Sequence, residues 1–247
     1  MFFKKIQFKA PENYLKADLE SPIPAKKNIP EWYKKLTHTL DKKTVKGCMP
    51  FLDALTAGYI IKTPYDFAIV HNEKNPNHGK VSQGNFSALK EVRKASQDLN
   101  IPFMDNYTHE PFQLEGSPQL EKNSNMGFHK FVNPWIIKTP PGYSCLFVSP
   151  MNNKDDRFDV ISGIVDTDTY NIPINVPLII NSDKYKSIKT IVKKGTPIVQ
   201  VMPFKRDSWE MIIKSYTKEE LDINLVKIFS KFLNKYKTMF WNKKLWH

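Results

Sequence analysis

Three runs of the chain decide its fold class: residues 133–153, NPWIIKTPPGYSCLFVSPMNN; residues 159–180, DVISGIVDTDTYNIPINVPLII; and residues 187–206, SIKTIVKKGTPIVQVMPFKR. Each is apolar and β-branched and closes on Pro, Gly or Asn/Asp, the signature of strands separated by turns. Between them lies a polar cluster, Asp166-Thr167-Asp168-Thr169-Tyr170, directly after Gly163-Ile164-Val165. On an alternating strand residues 166, 168 and 170 project to one face, so two carboxylates and a phenol would line one surface. Paired carboxylates hold a divalent cation, orient a water or share a proton. The alternative is a strand-end turn in which Asp and Thr satisfy nearby backbone groups.

Working outward, Gly58-Tyr59-Ile60-Ile61 and Phe67-Ala68-Ile69-Val70 read as two further strands joined by the turn Thr63-Pro64-Tyr65-Asp66. Residues 72–86 are rich in Asn, Gly, Lys and Pro and read as an exposed loop. Residues 86–99, FSALKEVRKASQDL, hold Leu89, Val92 and Leu99 roughly on one face, a short helix, and 100–127 show no period, a long loop. Upstream, Phe2–Phe8 forms a short strand. Pro11, Pro22, Pro24 and Pro30 then punctuate an extended arm over residues 1–43, with a short helix at Ile29–Tyr33 that uses Trp32 and Tyr33 as anchors. Downstream, Thr217 and Glu220 make a capping box before Leu221, Leu225, Ile228, Phe229, Phe232, Leu233 and Tyr236. That pattern predicts an amphipathic helix over 218–239, packed on the parent domain, with a partner-binding or oligomer-forming helix as the minor alternative. The aromatic, lysine-bearing tail after it reads equally as a contact for an anionic surface or as an anchored C-terminus. The expected organisation is an arm (1–43), a β-rich core (44–210) with an insertion at 72–128, and a C-terminal helix (217–240), a mainly β (α+β) class.

A hydrophobic content of 40% with 16 Phe is enough to fill a core. The net charge of +12 invites an anionic partner, yet the lysines are scattered rather than clustered, so a dedicated nucleic-acid site is not favoured. Cys48 and Cys145 are far apart with no CxxC pair, which fits a reducing compartment and neither a disulfide framework nor a zinc ribbon. No apolar run reaches the length of a membrane span, and the N-terminal residues lack a signal-peptide core, so the expected location is the cytoplasm.

Other chemistry is thinner. His71, His78, His109 and His129 fall in one segment, but neither His109 nor His129 has a His-x-Asp/Glu pair, so a metal site built on those two is a minor alternative. Cys145, on an apolar strand without a local base, reads as a buried structural thiol. No G-x-S-x-G elbow, P-loop or G-x-G-x-x-G is present. The turn Lys193-Lys194-Gly195-Thr196 could present amides and charge to a phosphate, or be a plain hairpin connection.

Taken together, these segments resemble the β-clip fold of the trimeric dUTPases and dCTP deaminases. Ala57-Gly58-Tyr59 is similar to that family's first motif, and Pro141-Gly142-Tyr143, its apolar run and Ser149-Pro150 lie where the second begins. Gly163–Tyr170 resembles the third, and Lys194-Gly195-Thr196-Pro197-Ile198-Val199-Gln200 the fourth. The resemblance implies a distorted, barrel-like β-clip core and a homotrimer. It also implies Asp166 and Asp168 as water-orienting carboxylates, Tyr143, Ser149, Tyr170, Lys194 and Gln200 as ligand contacts, and Mg²⁺ as cofactor where a nucleotide is bound. The departures are as informative. Ile60 and Ile61 replace the first motif's Asp, Ser149-Pro150-Met151-Asn152 replaces the phosphate-gripping Arg-Ser, Thr169 is an extra residue before Tyr170, and no Gly-rich C-terminal arm follows.

The phrases IPEWYK, VKGCMPFLDALTAGY, NPWIIKTPPGYS, GIVDTDTY and GTPIVQVMPFKR also resemble a family of bacterial and phage proteins known only as a domain of unknown function. The combined expectation is a diverged, dUTPase-like protein that binds a nucleotide-like or other small anionic ligand, or acts as an interaction module in phage infection, without triphosphate hydrolysis. An Mg²⁺-dependent nucleotide pyrophosphatase or deaminase relative is the first alternative. A cupin-type metalloenzyme is the second.

Overall fold

A computed structural model of the chain describes residues 4–16, 20–71, 73–74, 81–82, 87–88, 108–229 and 235–247. In chain order the strands are β1 (Gln7–Lys9), β2 (Ile23–Pro24), β3 (Tyr59–Lys62), β4 (Phe67–His71), β5 (Glu73–Lys74), β6 (Val81–Ser82), β7 (Ser87–Ala88), β8 (Thr108–His109), β9 (Phe128–Phe131), β10 (Ile136–Lys138), β11 (Tyr143–Val148), β12 (Phe158–Val160), β13 (Gly163–Val165), β14 (Val176–Ile180), β15 (Ile188–Val192) and β16 (Pro197–Lys205). The helices are α1 (Glu12–Lys16), α2 (Glu31–Lys35), α3 (Met49–Thr56), α4 (Pro118–Lys122), α5 (Lys218–Phe229) and α6 (Lys235–Met239). The class is mainly β, as the run pattern predicts, and the described strand pairs are antiparallel. The sheets run β13-β11-β16-β3-β2, β12-β14-β9-β8 and β15-β4-β7, with two-stranded ribbons β1-β10 and β5-β6. Among the described residues these sheets stay open and none closes into a barrel.

The three central runs supply most of the framework. β3 and β4 do not form a hairpin with each other. β3 pairs with β16 and β4 pairs with β15, so the two segments form one long ribbon that bends from one sheet into another. The bend is clasped at Thr63, which is wholly buried. Its amide donates to the Thr196 carbonyl (2.9 Å), its carbonyl accepts from the Gly195 amide (2.9 Å), and its hydroxyl donates to the Lys193 carbonyl (2.7 Å). Bending the ribbon lets Ile61, Ile69, Val192, Val199 and Val201 meet Phe131, Ile137, Leu178 and Ile180 in one core. Gly58 is required where the ribbon begins: its φ is +66°, and a Cβ there would run into the Val201 carbonyl oxygen.

The N-terminal arm contributes edge strands, β1 beside β10 and β2 beside β3. Pro30 caps α2, whose Tyr33 is buried and stacks on Phe51 (5.8 Å). α3 has no counterpart in the sequence-based reading, although Pro50 in its first turn marks it. The helix expected over 86–99 lies largely outside the described residues, and Ser87–Ala88 pair with β4 as strand instead. The loop expected over 100–127 contains β8, a 3₁₀ turn at Pro111–Leu114 and α4, capped by the Ser117 hydroxyl. At the C-terminus the capping box is present, with the Thr217 amide donating to Glu220 Oε2 (2.8 Å) and the Glu220 amide to Thr217 Oγ1 (3.2 Å). The single helix expected over 218–239 is described as α5 and α6. Its described first turn, residues 218–222, is exposed rather than packed on the core. No helix among the described residues is long and apolar enough to cross a membrane.

Candidate functional site

β11 lies between β13 and β16, with Cys145 opposite Val165 on one side and Pro203 on the other. This places the end of β13, the start of β11 and the end of β16 together. Residues 166–170 do not continue β13 as strand. They turn, with the Thr169 and Tyr170 amides donating to the Asp166 carbonyl at 3.0 and 2.9 Å. The turn absorbs the extra Thr169 and leaves Tyr170 on the surface, 41% exposed. Thr167 is driven inward and is fully buried, its hydroxyl sharing a 2.8 Å hydrogen bond with Thr139 and donating to Cys145 Sγ (3.3 Å). With Thr167 inward, Asp166 and Asp168 both turn to the Arg206 side, Asp166 exposed and Asp168 largely covered, so the two carboxylates meet even though the strand does not continue.

The partner of that surface is Arg206, just past β16, which the sequence reading did not identify. Its Nη1 donates to Asp166 Oδ1 (3.2 Å), Asp168 Oδ1 (2.9 Å), Ser144 Oγ (3.0 Å) and the Tyr143 carbonyl (3.1 Å), and its Nη2 donates to Asp168 Oδ2 (2.5 Å). The Ser144 hydroxyl donates to Asp166 Oδ1 (2.6 Å) and the Gly142 amide to Asp168 Oδ2 (2.8 Å). Lys138 Nζ donates to the Asp168 carbonyl and to Asn171 Oδ1. Hydrogen bonding to Arg206, and then to the Gly142 amide, holds the Asp168 carboxyl at about 2. A carboxylate so acidic is a weak general base at neutral pH. A cation binding there would also have to displace the bidentate guanidinium.

Beside this cluster, on the Tyr143 side, is a cavity of about 480 Å³. Lys4, Lys5, Tyr59, Tyr143 and Trp246 line it together with Thr139. Lys4 Nζ donates to the Tyr143 hydroxyl and lies 4.4 Å from that ring's centroid. Trp246 meets Tyr59 edge-on at 6.4 Å. The C-terminal tail forms this wall because it is tied to α3: Trp241 Nε1 donates to both Asp53 oxygens (3.1 and 3.0 Å) and Lys244 pairs with Asp53 (2.6 Å). Of the two readings of the tail, the bonds to Asp53 match the anchored one, and the anchor turns the tail into part of a pocket. Composition alone had only hinted at it, through alternating aromatics and lysines.

The remaining residues implied by the resemblance lie elsewhere. Ser149 Oγ accepts from the Val160 amide (2.9 Å). Gln200 is buried, its side-chain amide donating to the Ala54 and Ala57 carbonyls (2.9 and 2.7 Å) and accepting from Met151 N (2.8 Å). All the polar atoms of Gln200 are thus engaged, and it ties α3 to β16. Lys194 donates its amide to Asp66 (2.8 Å), which also pairs with Lys193 and is held below the usual carboxylate range mainly by that lysine. The Lys194 turn precedes β16 and Arg206 follows it. The nine residues of that strand separate the two by about 26 Å.

The histidines do not converge as a metal site either. In the β8–β9 ladder His109 is opposite Phe128, stacked on it at 4.7 Å, while His129 is opposite Thr108. Adjacent ladder positions point to opposite faces, so His109 and His129 are on different sides of the pair. Among the described residues no group of three or more His, Cys, Asp or Glu could hold a metal ion. Cys145 is buried, and burial pushes its thiol up to about 11, consistent with a structural role. No family model matches the chain, and no curated protein matches it either.

Proposed function

We propose that the protein binds a small anionic ligand carrying a planar ring, a nucleotide-like molecule, in the cavity between Lys4, Tyr59, Tyr143 and Trp246, and that it does so without hydrolysing a triphosphate. The observation that carries this reading is the lining itself. Two lysines stand beside three aromatic rings in a space of about 480 Å³, within the range of small-molecule sites. Lysines attract phosphate or carboxylate, and aromatic faces stack on a base or other ring. The adjoining cluster supports the non-hydrolytic part, because Asp166 and Asp168 are both bonded to Arg206. On this reading the chain is a diverged β-clip protein of phage or bacterial origin, acting in a reducing cytoplasm, and a homotrimer is the assembly the resemblance implies.

Thermal shift and calorimetry against nucleoside mono-, di- and triphosphates, with the bare nucleoside and pyrophosphate as controls, test it. A nucleotide at about 100 times its Kd stabilises by about 2.7 kcal/mol, a rise of several degrees in Tm. Lys4→Glu and Lys5→Glu change exposed side chains, keep the fold and abolish the shift. No shift with any nucleotide sinks the reading. Mg²⁺-dependent pyrophosphate release that stops in Asp168→Asn replaces it with the hydrolase alternative.

A further inference from the structure

After Arg206 the chain runs as an arm without helix or strand, residues 207–217, to the N-cap of α5. The arm carries Trp209, Met211 and Ile213 at 90%, 84% and 86% exposure, with Ile212 and Tyr216 also exposed. An arm seated in extended form places Trp209, Met211 and Ile213 on one face. Among the described residues, the backbone of 208–216 makes no ladder or turn hydrogen bond. Single apolar side chains on a surface are ordinary, but a contiguous run of this size marks an interaction site. The arm is not a loose end, because Trp241 and Lys244 bind the tail beyond it back onto Asp53.

The chain leaves a second apolar surface uncovered. A cavity of about 520 Å³ opens beside the β1–β10 ribbon, with Pro11, Pro134, Ile136, Ile172 and Pro173 among its walls and Lys9 at its mouth. Neither Lys9 nor Glu210 of the arm forms an ion pair among the described residues. Lys205, at the root of the arm, is paired with Asp207.

We propose that the arm of one copy seats in this cavity of a second copy, so that reciprocal exchange closes a homo-oligomer. Both surfaces belong to one chain, and the arm does not fill the cavity within that chain. Their charges are complementary: with Trp209 and Met211 turned into the cavity, Glu210 is left on the solvent side, where the exposed Lys9 ammonium reaches it. The area suffices as well. Each buried aromatic removes about 150–250 Å² from water. Two exchanged arms, each burying Trp209, Met211 and Ile213, together with the cavity walls they cover, approach the roughly 1,600 Å² of a standard interface. Exchange also closes an arm-to-cavity contact that would otherwise propagate as a filament.

Light scattering on the size-fractionated full chain tests this by mass. The wild type runs at an integer multiple of its 28.8 kDa monomer. Trp209→Ser with Met211→Ser on the arm, or Ile172→Glu at the exposed cavity mouth, each gives monomer with an unchanged circular dichroism melt. Mixing the arm variant with the cavity variant restores a larger species, because one intact arm and one intact cavity remain. Lys9→Glu weakens assembly at least several-fold, and adding Glu210→Lys recovers most of it. A wild type that stays monomeric at 100 µM or more overturns the proposal. So does an oligomer indifferent to both the arm and the cavity variants.

Discussion

Two of the clusters of titratable side chains among the described residues are held in opposite ways. At one end of β11, Arg206 binds both Asp166 and Asp168, and the Gly142 amide adds a bond to Asp168, whose carboxyl stays charged. Between the sheets, His71 of β4 and His129 of β9 are buried, their rings 5.9 Å apart, with Ser182 Oγ 3.5 Å from His71 Nε2 and no partner for His71 Nδ1 among the described residues. Burial, the larger cause for both, lowers each histidine to about 4, and the neighbouring His71 adds to the effect on His129. Asp168 is lowered too, to about 2, by pairing. The same direction of shift therefore means a neutral pair in one place and a charged cluster in the other. Where a group is held decides which form survives.

The largest effect expected from breaking this contrast is at the histidines. The unfolded chain binds protons at about 6.5 and the folded chain only at about 4, so stability is intact above 6.5 and is lost as pH falls between those values. A gap of that size corresponds to roughly 3 kcal/mol for each group titrating alone. Calorimetric Tm should fall steeply between about pH 6.5 and 4. In His71→Gln/His129→Gln the melting temperature should be nearly flat over that window. A slope that persists in the double variant would assign the acid sensitivity to other groups.

The two clusters also differ in how far the sequence discloses them. Asp166 and Asp168 are two apart, and their common surface was readable from local alternation, although the turn that forms it was not. Arg206 could not be read, since it is 38 and 40 residues away and meets them only because β13, β11 and β16 are neighbours. His71 and His129 were visible as residue types, but their meeting depends on two sheets packing face to face. The strands themselves were legible because β-branched runs punctuated by Pro and Gly are a local signal. Which strand pairs with which is not local: β3 and β4, consecutive in sequence, bend away into different sheets at Thr63. α3 was missed because its apolar residues lie next to strand-like ones, and Pro50 was the only marker. The resemblance implies Gln200 as a ligand contact, but a motif match does not disclose the Ala54 and Ala57 carbonyls and the Met151 amide that surround its side chain.

A second, smaller effect sharpens the charged side of the comparison. Asp168→Asn keeps the shape of the side chain but removes the charge that Arg206 and the Gly142 amide bind. The Asp168 side chain is only 7% exposed, so little water replaces what is lost. The variant should melt below the wild type at neutral pH. Its folded-state value lies below the unfolded one, so the wild type holds this contribution above about pH 4 and loses it as pH falls toward 2. The two melting curves should therefore converge in that lower window, after the histidine transition is complete. A constant gap down to pH 2 would mean that Asp168 acts through packing rather than charge.

The smallest effect belongs to Asp166, and it tests whether the cluster acts as a unit. Its side chain is 60% exposed and receives one long bond from Arg206 and one from the Ser144 hydroxyl. Exposed ion pairs contribute about 0–1 kcal/mol, so Asp166→Asn should shift Tm by no more than about 4 °C. In the Asp168→Asn background the outcome is different. Arg206 then keeps Asp166 as its carboxylate partner, and removing that one as well leaves the guanidinium without a counter-charge beside the Tyr143 carbonyl and the Ser144 hydroxyl. The double variant should lose more stability than the two single changes added together, as read by a double-mutant cycle in chemical denaturation. Strict additivity would show that Arg206 binds each carboxylate independently. The convergence of Asp166 and Asp168 on one guanidinium would then be two separate contacts rather than a network.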